Sequence, residues 1–154
     1  LTKIKSQNPD VLVIISTGRE AGLVAKRARE LNIQAQLVGQ RTIGTPELLQ
    51  EKEAVEGLIF SSPTYNASHP FVEKYQQTYG KMPSVFAVEG YDAVASLSDA
   101  TNKCKKDINC MYDSYVNNTY TGALGEVVFD EKGNAHYGFA LKQVKRGRFE
   151  LYNL

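Results

Sequence analysis

Val11-Leu12-Val13-Ile14-Ile15 is an unbroken run of five β-branched and aliphatic residues. It is too short for a helix and has none of the polar alternation of a strand with one wet face. Such a run belongs in the middle of a parallel sheet, covered by helices on both sides. Asn8-Pro9-Asp10 turns the chain into it, and Ser16-Thr17-Gly18 breaks it. Arg19 to Leu31 then reads as a helix, with Leu23, Val24, Ala28 and Leu31 near one face and Arg27, Arg29 and Glu30 largely away from it. Ala35 to Val38 is a second strand, Gly39 to Gly44 a loop, and Thr45-Pro46-Glu47-Leu48 the start of a short helix with Thr45 as N-cap. Gly57 to Phe60 is a third strand.

This β-α-β-α-β succession predicts an α/β fold, a doubly wound parallel sheet with flanking helices. In such sheets ligands bind at the carboxyl ends of the strands. The connections leaving those ends are Ser16-Thr17-Gly18, Gln40-Arg41-Thr42 and Ser61-Ser62-Pro63. Ser16, Thr17, Arg41 and Thr42 are therefore candidate ligand-binding residues.

The composition changes after Ser61, where a polar, turn-rich stretch leads to a helix from about Pro70 to Tyr79. Phe71, Tyr75 and Tyr79 share one of its faces, and Gly80 stops it. Pro83-Ser84 opens a longer helix from Val85 to about Asn102, whose buried side is predicted to carry Phe86, Ala87, Gly90, Ala93, Val94 and Leu97. Asp107 caps a last helix, Ile108 to Val116. From Val127 onward short apolar runs alternate with turns at Asp130 to Gly133 and Arg146-Gly147, as closing antiparallel strands do.

Several function classes are excluded. A formal net charge of +1 gives no field for nucleic acid or an anionic membrane. The chain has no phosphate-binding Gly-rich loop, no dinucleotide fingerprint after the first strand and no nucleophile elbow. His69 and His136 stand apart from any paired carboxylate, so no enzyme activity, cofactor or metal is expected. Cys104 and Cys110 are too few for a zinc site and wrongly spaced for a thioredoxin motif. A local disulfide is preferred over two independent thiols. It would add roughly 2 kcal/mol and imply an oxidising compartment.

Asn8-Pro9-Asp10-Val11, Glu20-Ala21-Gly22-Leu23, Gly44-Thr45-Pro46-Glu47-Leu48 and Glu56-Gly57-Leu58 follow one another at characteristic distances. Tyr79-Gly80-Lys81-Met82-Pro83-Ser84, Gly90-Tyr91-Asp92-Ala93-Val94 and Tyr120-Thr121-Gly122 through Phe129-Asp130 continue the series. In order and spacing, the chain resembles the C-terminal part of periplasmic solute-binding proteins of branched-chain amino-acid type ABC transporters. The resemblance implies the type 1 periplasmic-binding-protein fold, two Rossmann-like lobes that close over a solute by hinge motion. It assigns residues 1–62 to part of the second lobe, 63–138 to the returning part of the first, and 139–154 to last strands back in the second. Ser61-Ser62-Pro63 would be a hinge. The family's chains are more than twice this long, so a fragment lacking the N-terminal half is expected, with weak solute binding alone. Unmatched apolar surface would be covered by dimerisation or segment exchange.

The resemblance also bears on single residues. Thr17 falls where many members place a tyrosine that packs on the ligand, and Phe86 where an aromatic or apolar residue contacts it. Arg41 falls where amino-acid binders place a carboxylate for the ligand's ammonium. A guanidinium there either grips a ligand carboxylate, so that the solute lacks a free amine or carries an extra acid or amide, or only faces solvent. The implied function is capture of a small polar solute in the periplasm, or by an extracytoplasmic lipoprotein, for delivery to an inner-membrane ABC permease. The alternative is a sensory ligand-binding domain of the same fold coupled to a signalling partner.

Overall fold

A computed structural model describes residues 1–153. The chain divides into two compact units: unit 1 is Leu1–Ser62 together with the segment from Ala140, and unit 2 is Pro63–Phe139.

Unit 1 begins with the short helix α1 (Thr2–Lys5), strand β1 (Val11–Ile14), helix α2 (Gly18–Glu30) and strand β2 (Gln36–Gly39). Two 3-10 helices follow, Arg41–Ile43 and Pro46–Glu51, then β3 (Ile59–Pro63). The short helix expected from Thr45-Pro46 is present in the tighter 3-10 form, and residues 61–63 continue a strand rather than forming a loop. The closing strands are β7 (Phe139–Lys145) and β8 (Arg148–Leu151), joined at Arg146-Gly147, where both residues have positive φ. Such a pair matches the twist of a two-residue hairpin.

The sheet order is β1-β2-β3-β7-β8. β1 and β2 are parallel with Leu12 opposite Leu37, β2 and β3 are parallel with Gly39 opposite Phe60, and β7 and β8 are antiparallel. Leu12, Ile14, Leu37, Phe60 and Val144 form the core with Ala21, Ala25 and Ala28 of α2. The buried face of α2 is made of glycine and alanine, which lets it lie close to the 3-10 helix Pro46–Glu51. Leu23 stays half-exposed.

One expectation fails. β1 is an edge strand, and only one of its faces is covered. Val11, Val13 and Ile15 are 50%, 61% and 76% exposed. An apolar run records that both faces tend to be buried but does not say what buries them.

Unit 2 contains α3 (Pro70–Tyr79), α4 (Val85–Cys104), α5 (Ile108–Val116) and an antiparallel sheet of β4 (Tyr120–Gly122), β5 (Gly125–Phe129) and β6 (Ala135–His136) in that order. The helix starts are capped as their residue types require. His69 accepts from Phe71 N, Ser84 from Ala87 N and Asp107 from Cys110 N. Gly80 ends α3 in the left-handed conformation. The disulfide between Cys104 and Cys110 joins the end of α4 to the first turn of α5. Tyr91 stacks on Phe71, and Tyr75 and Tyr79 extend the row of rings along α3.

The buried side of α4 is Val88, Asp92, Ser96, Ala100 and Cys104, not the expected side, on which Phe86, Val94 and Leu97 are exposed. Asp92 explains the choice. Its carboxylate, 4% exposed, accepts from Ala123 N and Leu124 N, each at 2.8 Å. A Cβ on Gly122 would lie 2.5 Å from Asp92 Oδ1. The turn between β4 and β5 thus closes around the carboxylate and packs Ala123, Leu124 and Val127 with Val72 and Val88. Burial and then the Asp92 charge push the Tyr120 hydroxyl up to about 12, so Tyr120 stays neutral.

Asp92→Ala should cost about 3 kcal/mol, because two buried amides lose their acceptor. Asp92→Asn should also destabilise, since its amide nitrogen would face one of those N–H groups. Gly122→Ala should do so for want of space. Urea unfolding followed by circular dichroism measures all three. At the β5–β6 turn, the Asn134 side chain and then its amide hold the Asp130 carboxyl down at about 2, with smaller help from His136 and Lys132. A lowered carboxyl stabilises the folded turn above its ordinary value of 3.8 and loses that contribution as pH falls towards 2. Carbon-detected NMR should therefore show an Asp130 midpoint near 2, moving up in Asn134→Ala.

Candidate functional site

Four of the five candidate ligand residues meet in unit 1, at the carboxyl ends of β1 and β2. Ser16 and Thr17 follow β1, while Arg41 and Thr42 open the 3-10 helix that follows β2. The Thr42 hydroxyl donates to the Ser16 carbonyl at 2.7 Å and ties the two connections together. The parallel pairing of Ile14 with Gly39 brings these two strand ends level, so residues 26 apart in sequence reach each other.

Local packing fixes the loop. Thr17 is the extended N-cap residue of α2, and its hydroxyl donates to the Glu20 carboxylate. Gly18 lies against the next connection, where an added Cβ would overlap Thr45 Oγ1 and come within 3.1 Å of the Ile43 carbonyl. Thr45 also bonds Glu47, holding its carboxyl below the ordinary value. The contact at Gly18 locks the start of α2 onto the segment that carries Arg41 and Thr42. The Ser16 hydroxyl donates to the Thr17 carbonyl at 3.2 Å.

These bonds decide the available chemistry. Ser16, Thr17 and Thr42 have committed their hydroxyl protons, which leaves oxygen lone pairs to accept from a ligand. Arg41 is half-buried and carries guanidinium donors. The first turn of α2 adds the partial positive charge of a helix N-terminus. The site can accept hydrogen bonds from N–H groups and can pair with an acid. It contains no nucleophile–base pair, and no cluster of metal-ligating side chains occurs among the described residues.

Phe86 belongs to unit 2, where it is the second residue of α4 and 42% exposed. Sequence reasoning missed Glu20, Thr45 and Gly18 as the supports of the site. Thr17-Arg19-Glu20 did carry a signal, since Thr followed three residues later by Glu at a helix start is the capping-box spacing. Nothing in the spacing shows that Gly18 must touch Thr45.

Comparison with known proteins places these features in a family. The family described as periplasmic binding protein matches residues 1–148. An extracellular ligand binding receptor from Desulfohalobium retbaense is 38% identical with a TM-score of 0.88, covering 98% of this chain and 28% of that one. The leucine binding protein LivK from Thermotoga maritima is 30% identical with a TM-score of 0.87, covering 99% and 46%. An ABC transporter substrate-binding protein from Desulfitobacterium hafniense in complex with Leu is 25% identical with a TM-score of 0.71, covering 98% and 46%. The present chain spans less than half the length of each. A search of curated proteins gives no match.

Thr42→Val removes the bond between the two connections and should lower stability by about 1 kcal/mol. Gly18→Ala should lower it more, because backbone as well as the Thr45 side chain must move. Guanidinium unfolding midpoints at unchanged slope would show both.

Proposed function

The chain belongs to the periplasmic binding protein family, whose members are solute-binding receptors rather than enzymes, and from that premise we propose that it is part of the solute-binding component of an ABC uptake system. The observation that supports this most is the cluster of Ser16, Thr17, Arg41 and Thr42 at the carboxyl ends of two adjacent parallel strands. Such ends are where open α/β sheets take ligands. In the proposed intact protein, unit 1 supplies part of one lobe and unit 2 part of the other. A solute is held by lobe closure, with Phe86 as a contact from the lobe opposite Ser16, Thr17, Arg41 and Thr42, and is passed to a permease in the inner membrane. The family implies an extracytoplasmic location. The Cys104–Cys110 disulfide suits the oxidising periplasm.

The solute class follows from the donors and acceptors. Arg41 selects an acid or amide, and the hydroxyl oxygens of Ser16, Thr17 and Thr42 accept from an amine or amide N–H. A small amino-acid-like solute with an additional acid or amide meets both demands. A second reading, a sensory ligand-binding domain, is favoured by one observation. The 38%-identical protein is called a receptor, and this chain covers only 28% of it.

Isothermal titration of the intact gene product against leucine, glutamine and small dicarboxylates tests the proposal. An acid- or amide-bearing solute should bind, and Arg41→Ala should weaken it at least about tenfold, equivalent to about 1.4 kcal/mol. Tight leucine binding unchanged by Arg41→Ala would refute the role given to Arg41. Pull-down of a two-component kinase instead of permease subunits by the loaded protein would favour sensing.

A further inference from the structure

Helix α5 is held to unit 2 by little besides a covalent bond. It is nine residues long, too short to stand alone in water, and none of its residues is buried. The buried cluster of Val72, Val88, Ala123, Leu124 and Val127 contains no α5 residue, and neither do the half-buried side chains packed on it. A cavity of about 90 Å³ lies along the seam with α4, and its polar lining includes Ser96, Asp99, Lys103 and Tyr115. The Tyr115 hydroxyl donates to Ser96 Oγ at 3.4 Å and the Tyr112 hydroxyl to the Glu131 carbonyl at 3.4 Å, both long for hydroxyl donors. The Tyr115 ring meets the Phe129 ring edge-on, with centroids 5.2 Å apart.

The corner that leads into α5 works against it. Lys105 and Lys106 have φ of 50° and 70°, two successive left-handed residues that carry Cβ atoms. The Cys104–Cys110 disulfide and the Asp107 cap on Cys110 N hold the chain in this shape. The two sulfur-bearing residues differ in access, since Cys104 is 7% exposed whereas Cys110 lies open. Lys103, Lys105 and Lys106 flank Cys104 in sequence and are exposed, against the one carboxylate of Asp107, which is engaged in its cap. Positive surroundings favour both the approach and the departure of a thiolate.

We propose that the Cys104–Cys110 bond is a redox-operated clamp, reduced by a protein dithiol, and that its opening releases α5 while the rest of unit 2 stays folded. A thiolate of the dithiol attacks the Cys110 sulfur, forms a mixed disulfide and expels Cys104 as a thiolate, which takes up a proton. The donor's second thiol then attacks the donor sulfur of that mixed disulfide, and Cys110 leaves as a thiol. Two electrons and two protons pass to the cysteines, and the donor becomes a disulfide. Without the crosslink, Lys105 and Lys106 relax out of the left-handed region, and the seam is too weak to retain a nine-residue helix. The Asp92 fastening and the core around Val72 and Val88 include no residue of α5, so they persist. The freed segment presents Tyr112 and Tyr115 to proteases. The lifetime of the chain is thereby coupled to the thiol state of its compartment.

Hydrogen exchange resolved to single amides, on the intact gene product before and after treatment with reduced thioredoxin and no denaturant, tests this. The Met111 to Val116 amides should exchange at least about tenfold faster after reduction, while those of Tyr75 in α3 and Asp92 in α4 change by less than about twofold. Chymotrypsin should cut after Tyr112 or Tyr115 only in the reduced protein. The double variant Cys104→Ser, Cys110→Ser should match the reduced protein with no reductant present. A bond that reduced thioredoxin leaves intact overturns the proposal, as does α5 protection that survives reduction. Loss of protection at Tyr75 and Asp92 together with α5 also overturns it, since the bond would then be a general staple of unit 2.

Discussion

How closely α2 can approach its neighbours sets the geometry of unit 1. Its buried positions are Gly18, Ala21, Gly22, Ala25 and Ala28, the smallest side chains available. Larger residues would hold the helix away from the sheet and from the 3-10 helix Pro46–Glu51. The segment between Gly39 and Thr45 would then lose the surface that shapes it. Arg41 and Thr42 stand on that segment, and Thr42 reaches the Ser16 carbonyl only because the segment is pressed in. The candidate site is therefore a product of helix packing, although none of its four residues lies in the core. The ion pair between Lys26 and Glu51 at 3.3 Å adds little, being partly exposed.

Unit 2 solves a similar problem with a polar group. A β-turn must be fastened to a helix, and the fastening is a carboxylate that accepts two backbone amides. Burying a charge is costly unless it is fully hydrogen-bonded, and here no buried side-chain polar atom among the described residues lacks a partner. The arrangement is specific because only a residue without a Cβ at position 122 leaves room for the carboxylate. Apolar packing then follows from the fastening, with Ala123 and Leu124 carried into contact with Val72 and Val88.

Much of this was legible in the residues. The three parallel strands, the helix caps at Ser84 and Asp107, the αL stop at Gly80 and the Cys104–Cys110 bridge all follow from local chemistry, and each is present. The inward side of α4 was not legible. Asp92 and Ser96 are polar and read as solvent-facing, while Phe86, Val94 and Leu97 are apolar and read as core. What inverted the assignment is a contact 31 residues away in sequence, between Asp92 and Ala123. For the site, strand ends indicated Ser16, Thr17, Arg41 and Thr42. The use of their hydroxyl protons within the loop depends on three-dimensional neighbours such as Glu20 that spacing only hints at.

Two of the readings that failed share a cause. In β1 and in α4, residues whose pattern calls for burial are exposed: Val13 and Ile15 on one, Val94 and Leu97 on the other. Hydrophobic pattern reflects every neighbour a segment has in its working assembly, whereas exposure here reflects only those within the chain. Where pattern and exposure agree, as on the inner faces of β1 and β2, the chain supplies its own cover. Where they disagree over a contiguous patch, the difference marks a neighbour. The β7–β8 half of the same sheet face is mixed: Lys145 and Glu150 are exposed and Gln143 is half-buried, while Leu141 on the same side is 39% exposed. Exposure alone would assign both halves to solvent. Only the residue types separate a surface suited to water from one that is not.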